Sequence, residues 1–227
     1  MIDARDITKT YPGTPRAVPV LQGLSLAVSG GETVALTGES GSGKSTLLHI
    51  LGGLEAADTG IVTIAGQDVG ALDEAGRAAL RRDSIGLVFQ QFNLIPSLDV
   101  GANLAFQARL NGRYDADWAG TLAERLGLSD LLSRYPEELS GGQQQRVAIG
   151  RALASRPPVL MADEPTGNLD EDSAARVLDL MLSLVRETGT TLLIVTHSAA
   201  VAAQMDRRVH LSRGRLSAPS DAVGAAS

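Results

Sequence analysis

The chain of 227 residues has no cysteine, which excludes disulfides, thiolate catalysis and cysteine-based metal sites. It has no excess of positive charge either: 20 Lys and Arg stand against 26 Asp and Glu, a formal net charge of −6. With no dense Lys/Arg cluster to supply a local basic stripe, a generic nucleic-acid footprint is unsupported. The opening Met1-Ile2-Asp3-Ala4-Arg5-Asp6 lacks an apolar core and does not read as a secretory signal. No uninterrupted apolar run approaches the ~20 residues that cross a bilayer. Internal repeats and sustained heptads are missing as well. The expectation is a cytoplasmic protein that meets any membrane through a partner.

The apolar share of 44% and charged share of 20% suit an ordinary globular protein with one compact core and room for a smaller lobe. Ile2 to Thr10 alternates loosely and gives way to a Pro/Gly-rich stretch, Pro12 to Pro19. Leu24 to Val28 reads as a strand, turned by Ser29-Gly30-Gly31 into a second, Glu32 to Thr37. A Gly/Ser-rich loop, a short helix from Ser45 to Leu51 and strands Gly60 to Ala65 and Ile85 to Phe89 follow. Strand signals then vanish, and Val100 to Leu110, Trp118 to Leu126 and Gln143 to Ala154 have helical periodicity. Strand Val159 to Ala162, a helix near Asp172 to Glu187, strand Thr191 to Thr196 and a hairpin around Arg213-Gly214 complete the core. Alternating short apolar strands and helices predict an α/β fold with a mostly parallel sheet. The expected organisation is one domain over 1–216, a helical subdomain inserted at about 92–155, and a flexible Ala/Ser-rich tail over 217–227.

Three motifs carry chemistry. Gly38-Glu39-Ser40-Gly41-Ser42-Gly43-Lys44-Ser45 fits the phosphate-binding loop G-x-x-x-x-G-K-[ST], between a predicted strand and helix. Its glycines let successive backbone N–H groups curl around phosphate oxygens, at the positive end of the helix that follows. Lys44 is placed to reach the outer phosphates and the Ser45 hydroxyl to ligate Mg²⁺, and Thr46 is counted with the loop. In Val159-Leu160-Met161-Ala162-Asp163-Glu164 an apolar strand delivers two acids to the carboxyl edge of the sheet. Asp163 is the candidate for Mg²⁺ through water, and Glu164 the candidate base for an attacking water. Third, Leu139-Ser140-Gly141-Gly142-Gln143 opens a helix with Ser140 placed to cap it, a second anion-binding device that one nucleotide site does not need.

Leu139-Ser140-Gly141-Gly142-Gln143-Gln144-Gln145-Arg146 resembles the signature motif of ATP-binding cassette ATPases. The other two motifs lie at that family's usual spacings, and the likeness extends from about Ile2 to Leu216. The resemblance implies a P-loop NTPase core, an N-terminal antiparallel β subdomain and an inserted α-helical subdomain. It implies ATP and Mg²⁺ as ligands and assigns further roles. Tyr11 is similar to the aromatic that stacks on adenine, Gln90 to the glutamine that contacts Mg²⁺ and the attacking water, and His197 to the γ-phosphate switch. Gly167-Asn168-Leu169-Asp170 resembles the loop that communicates across a dimer, with Asp170 its defining residue. His49 and His210 have no such counterpart. In the family two cassettes close head to tail, so that Ser140, Gly141, Gly142 and Gln143 of one copy cover the ATP held by the other. Gly150 stands where Ala is common, and Ser198 follows His197 where Asp is frequent.

Phe89-Gln90-Gln91-Phe92-Asn93-Leu94-Ile95-Pro96 and the stretch from Asp163 to Asp170 are most similar to the lipoprotein-releasing, macrolide-export and cell-division branch. That likeness implies a permease partner with a large extracytoplasmic domain, docked beside Gln90 on the segment from Phe92 to about Asn111, and a peripheral place on the inner face of the cell membrane. Cassettes that act on nucleic acid or ribosomes are the alternative. They usually carry long coiled coils or paired cassettes, which this acidic chain lacks.

Overall fold

The computed structural model describes residues 1–13 and 17–217. Part of the Pro/Gly-rich stretch and nearly all of the expected tail lie outside those residues. The chain opens with antiparallel strands β1 (Ile2–Tyr11) and β2 (Val18–Val28), then enters β3 (Thr33–Thr37) and helix α1 (Lys44–Leu51). Strands β4 (Thr59–Ile64) and β5 (Gln67–Asp68), helix α2 (Glu74–Ser84) and strand β6 (Ile85–Val88) follow. Next come α3 (Val100–Leu110), α4 (Ala116–Arg125) and α5 (Gly141–Leu153), with no strand between them among the described residues. The chain finishes with β7 (Val159–Asp163), α6 (Glu171–Thr188), β8 (Thr191–Val195), α7 (Ala199–Ala203) and the hairpin β9 (Arg207–Ser212)–β10 (Arg215–Ser217).

Two sheets result. One is antiparallel, in the order β2-β1-β4-β5, and the other runs β10-β9-β3-β8-β7-β6 with only β10 antiparallel. In β2 the buried Leu24, Leu26 and Val28 alternate with exposed Ser25 and Ala27, so one face of the antiparallel sheet packs inward with Leu47, Leu48 and Leu51 of α1. β8 is buried along its whole length, and β7 along all but its last residue, as strands covered on both faces must be. The other side of the parallel sheet meets α3, α5 and α6 through Leu104, Ile149, Leu153, Leu178 and Met181. Asp206 stitches β9 to β3, its Oδ2 accepting from the Thr33 N–H and hydroxyl at 2.9 Å each.

Several boundaries differ from the sequence reading. The Ser29–Gly31 turn does not pair two neighbouring strands; it passes the chain from the antiparallel sheet, where β2 lies, to the parallel sheet, where β3 lies. β2 begins at Val18 and runs through Pro19, which an edge strand tolerates because no ladder bond is lost to the outside. Helices α2 and α7 were not anticipated. Gly189 closes α6 at φ 65° and its N–H meets the Arg186 and Val185 carbonyls, as the glycine after that helix led one to expect.

Candidate functional site

The strands of the parallel sheet end at one cleft. The Gly38–Gly43 loop leaves β3, and α1 begins at Lys44 from a Gly43 whose φ is 105°. A Cβ at Gly43 would stand 3.0 Å from the Val20 carbonyl, and one at Gly38 would run into the Leu211 carbonyl, so both positions require glycine. The ammonium of Lys44, a residue only 9% exposed, donates to the Gly38 and Glu39 carbonyls at 2.9 Å each. The loop is closed by Ser42 N–H donating to the Glu39 carbonyl at 3.2 Å, while Ser42 Oγ is buried with no hydrogen-bond partner among the described residues.

Asp163 ends β7, and Glu164 beside it has φ 48°, a left-handed backbone that a non-glycine residue adopts at a cost of ~1 kcal/mol or more. Two bonds hold it there: Glu164 N–H donates to Val195 O at 2.9 Å, and Gly167 N–H to Glu164 O at 3.0 Å. His197 follows β8, and its Nδ1 contacts Glu164 Oε2. Ser198 then caps α7, its Oγ accepting from Val201 N–H at 3.3 Å, which is the bond an aspartate there would also make.

Ser40, Gly41, Gly43, Lys44, Ser45, Thr46, Gln90, Asp163, Glu164 and His197 line one open cleft of about 590 Å³. Glu39 and Ser42 belong to the same loop. The structure therefore brings together most of the candidates from segments far apart in sequence. Gln90, just beyond β6, exchanges two bonds with Asn168: its Nε2 donates to Asn168 Oδ1 at 3.0 Å, and Asn168 Nδ2 donates to the Gln90 carbonyl at 2.9 Å.

The remaining candidates do not line that cleft, although Tyr11 is bonded to Thr46, which does. Tyr11 donates its hydroxyl to Glu55 Oε2 at 2.6 Å, and Lys9 lies 5.4 Å from its ring centroid while also pairing with Glu55 at 3.0 Å. Burial raises the Tyr11 pKa, and the bond to Glu55 raises it further. Glu55 is itself held below its ordinary value: burial opposes this, but the bonds from Tyr11 and Lys9 outweigh it. Ser140 caps α5 in a reciprocal capping box with Gln143, its Oγ accepting at 3.3 Å and its N–H donating at 2.8 Å. Ser140, Gly142 and Gln143 line a separate hollow of about 280 Å³ with Arg146 and Arg176. Gly141 abuts Phe92 and Leu169. Asp170 caps α6 by accepting from Ser173 N–H at 2.9 Å; the bond from the Ser173 hydroxyl lowers its pKa, and that from the N–H lowers it further. Sequence reasoning missed the partners of Gln90 and Tyr11, because pairing over 78 and 44 residues leaves no local pattern.

The cleft suits a polyphosphate. It offers a largely buried cation whose hydrogen bonds, among the described residues, go to its own loop, and a helix N-terminus. The Ser45 hydroxyl, the Gln90 amide oxygen and the Asp163 carboxylate are hard oxygen donors of the kind Mg²⁺ prefers. Among the described residues no group of three or more His, Cys, Asp or Glu forms a ready-made metal cage.

Residues 21–167 match the sequence profile of the family described as ABC transporter. The chain is 45% identical over 221 residues to the lipoprotein-releasing system ATP-binding protein LolD of Roseobacter denitrificans, covering 96% of this chain and 97% of that protein. It is 44% identical over 219 residues to the macrolide export ATP-binding/permease protein MacB of Shigella flexneri, covering 95% of this chain and 34% of that longer protein. The dimeric post-hydrolysis structure of the ATP-binding cassette MJ0796 bound to ADP and Pi superimposes with a TM-score of 0.86 at 37% identity, over 95% of this chain and 96% of that one. The chain therefore belongs to the ABC transporter family, as one of its ATP-binding cassettes.

Proposed function

We propose that this chain is the ATP-hydrolysing subunit of a transporter, that two copies close head to tail over shared ATP, and that closure drives a membrane permease. The observation that carries the catalytic reading is the convergence of Lys44, Asp163, Glu164 and His197 on one cleft from three different strand ends. Lys44 and the N–H groups of Gly38 to Thr46 bind the phosphates, in place of the carbonyls that Lys44 now contacts. Ser45, Gln90 and Asp163 would hold Mg²⁺, which supplies positive charge against the phosphate oxygens. Glu164 takes the proton of the attacking water. His197, already against Glu164, orients that carboxylate and is placed to read the γ-phosphate. Tyr11, braced by Glu55 and Lys9, supplies a face for adenine. Ser140, Gly141, Gly142 and Gln143 act on the nucleotide of the other copy, and Asp170 lies at the end of the loop that links the two sites.

The likeness to LolD and to the ATP-binding/permease protein MacB supports a permease partner. The resemblance of residues 89–96 and 163–170 to that branch supports a large extracytoplasmic domain on it and a peripheral place for this chain on the cytoplasmic side of the membrane. No helix among the described residues is long and apolar enough to cross a membrane. A groove of about 310 Å³ between α2, β6 and α3, with Phe89, Phe106, Leu110 and Arg151 on its walls, is where a permease segment docks in this reading. Residues 92–155 then serve as one lobe that receives the permease and presents Ser140. Replacing Glu164 by Gln tests the chemistry. ATP binding should persist while turnover falls about a hundredfold or more, the loss expected of a removed general base. Near-normal turnover would reject that role.

A further inference from the structure

Gln90 does not stand free at the edge of the cleft. Its side chain and its main chain are both held by one residue, Asn168, in the segment between β7 and α6. The two bonds fix which way each amide faces. The Gln90 main-chain carbonyl only accepts, so the end of Asn168 that meets it at 2.9 Å is the NH₂. Asn168 Oδ1 then faces Gln90, and because that oxygen only accepts, the end of Gln90 that meets it at 3.0 Å is also the NH₂. Gln90 Oε1 is the end left over. It has no hydrogen-bond partner among the described residues, and it is the end that a divalent cation or a water hydrogen requires.

The segment that carries Asn168 is itself anchored at both ends. Gly167 N–H donates to Glu164 O at 3.0 Å, so the segment starts from the candidate base, and Asp170 ends it by capping α6. Gly167 makes room for the pairing: a Cβ there would lie 3.1 Å from Gln90 Nε2. We propose that Asn168 is a positioning residue for the hydrolytic reaction, holding the Gln90 amide with its oxygen available to the cleft and tying that orientation to the Gly167–Asp170 segment. The proposal rests on the reading of Gln90 as a ligand of Mg²⁺ and water, and it adds how Gln90 is aimed. A partner that shifts Asn168 then changes hydrolysis without touching Lys44 or Glu164.

Steady-state ATP hydrolysis by the full chain tests this, with Asn168→Leu, Gly167→Ala, Gln90→Ala and the double variants in Gln90→Ala. Asn168 and Gly167 are exposed, so both single variants should melt close to the parent protein. Losing the orienting bonds should lower kcat about three- to tenfold, with the KM for ATP within about twofold of the parent. Gly167→Ala, whose Cβ would stand 3.1 Å from the same amide nitrogen, should act in the same sense. In the Gln90→Ala background neither change should cost a further twofold or so, since the group they aim is gone. If Asn168→Leu multiplies fully with Gln90→Ala, or leaves kcat unchanged while Gln90→Ala lowers it, the positioning role is wrong and the Gln90 reading stands. If Gln90→Ala itself turns over normally, the reading of Gln90 falls and the proposal falls with it.

Discussion

Gln145 is fully buried on α5, and among the described residues neither end of its amide has a hydrogen-bond partner. Its neighbours on the helix do have bonds: Gln144 Nε2 donates to Leu139 O at 3.1 Å, and Arg146 Nη1 to Leu126 O at 2.7 Å. An unsatisfied buried amide costs about 1–3 kcal/mol, whereas an apolar group of the same shape costs nothing of the kind. Gln145→Met should therefore stabilise the cassette by about 1–2 kcal/mol, raising Tm by roughly 2–8 °C in a chain of this size. Urea or thermal unfolding of the two proteins decides the matter. A lower Tm would mean that the amide is satisfied in solution by an internal water. The residue scale also accounts for Ser198: its hydroxyl does for α7 what a carboxylate would do, so the departure from the more frequent Asp leaves the start of α7 capped beside His197.

At the scale of elements, Gly150 matters for how α5 meets α3 and α4. A Cβ on Gly150 would collide with Leu104 Cδ2 of α3 and come within 2.7 Å of Leu126 Cδ1. Ala would add about 1 kcal/mol of helix propensity, but overpacking a filled core costs about 1–3 kcal/mol. Gly150→Ala should thus lower stability by about 1 kcal/mol, read as a drop in the urea midpoint with an unchanged m-value; a rise would mean that Leu104 and Leu126 give way freely. The same packing explains which elements were legible in the sequence. Helix α3 was read at its true ends, because Asp99 caps it and Val100, Leu104 and Ala108 form a buried stripe. Helix α2 was missed because its inward face consists of Leu80 and Ser84 alone, leaving no apolar period to see. Helix α7 has five residues, too short to carry a period. Strand β2 was cut short because Pro19 reads as a break until its place at the sheet edge is known. The site divides in the same way. Gly38 to Ser45 and Ser140 to Gln143 were legible because each is a continuous stretch whose backbone does the work. Glu55 behind Tyr11 and Asn168 beneath Gln90 were not, because only the tertiary fold brings them together.

At the scale of the molecule, one chain holds two helix starts of the kind that suit anions, and they do not share a hollow: Lys44 and Ser45 line one, Ser140 and Gly142 the other. If each nucleotide lies between two copies, Lys44 and the partner copy's signature helix form one site, and the two halves can be disabled on separate chains. Lys44→Ala removes the phosphate cation from one protein, and Ser140→Arg blocks the capped helix start of another. Each alone should be inactive, since every site in its dimer lacks one half. In an equal mixture, half of the dimers pair the two variants, and each of those has one site with both halves intact and one with neither. Two-fold symmetry makes the two shared sites equivalent, and if each turns over on its own, recovery of up to about a quarter of the parent ATPase rate is expected. The check is hydrolysis measured against mixing ratio, with heterodimers confirmed by differential tagging. A rate equal to the sum of the separate variants, with mixed dimers present, would reject a shared site that turns over on its own: either Ser140 serves its own chain or hydrolysis needs both sites intact, and ATP-dependent dimerisation of the mixed pair separates the two.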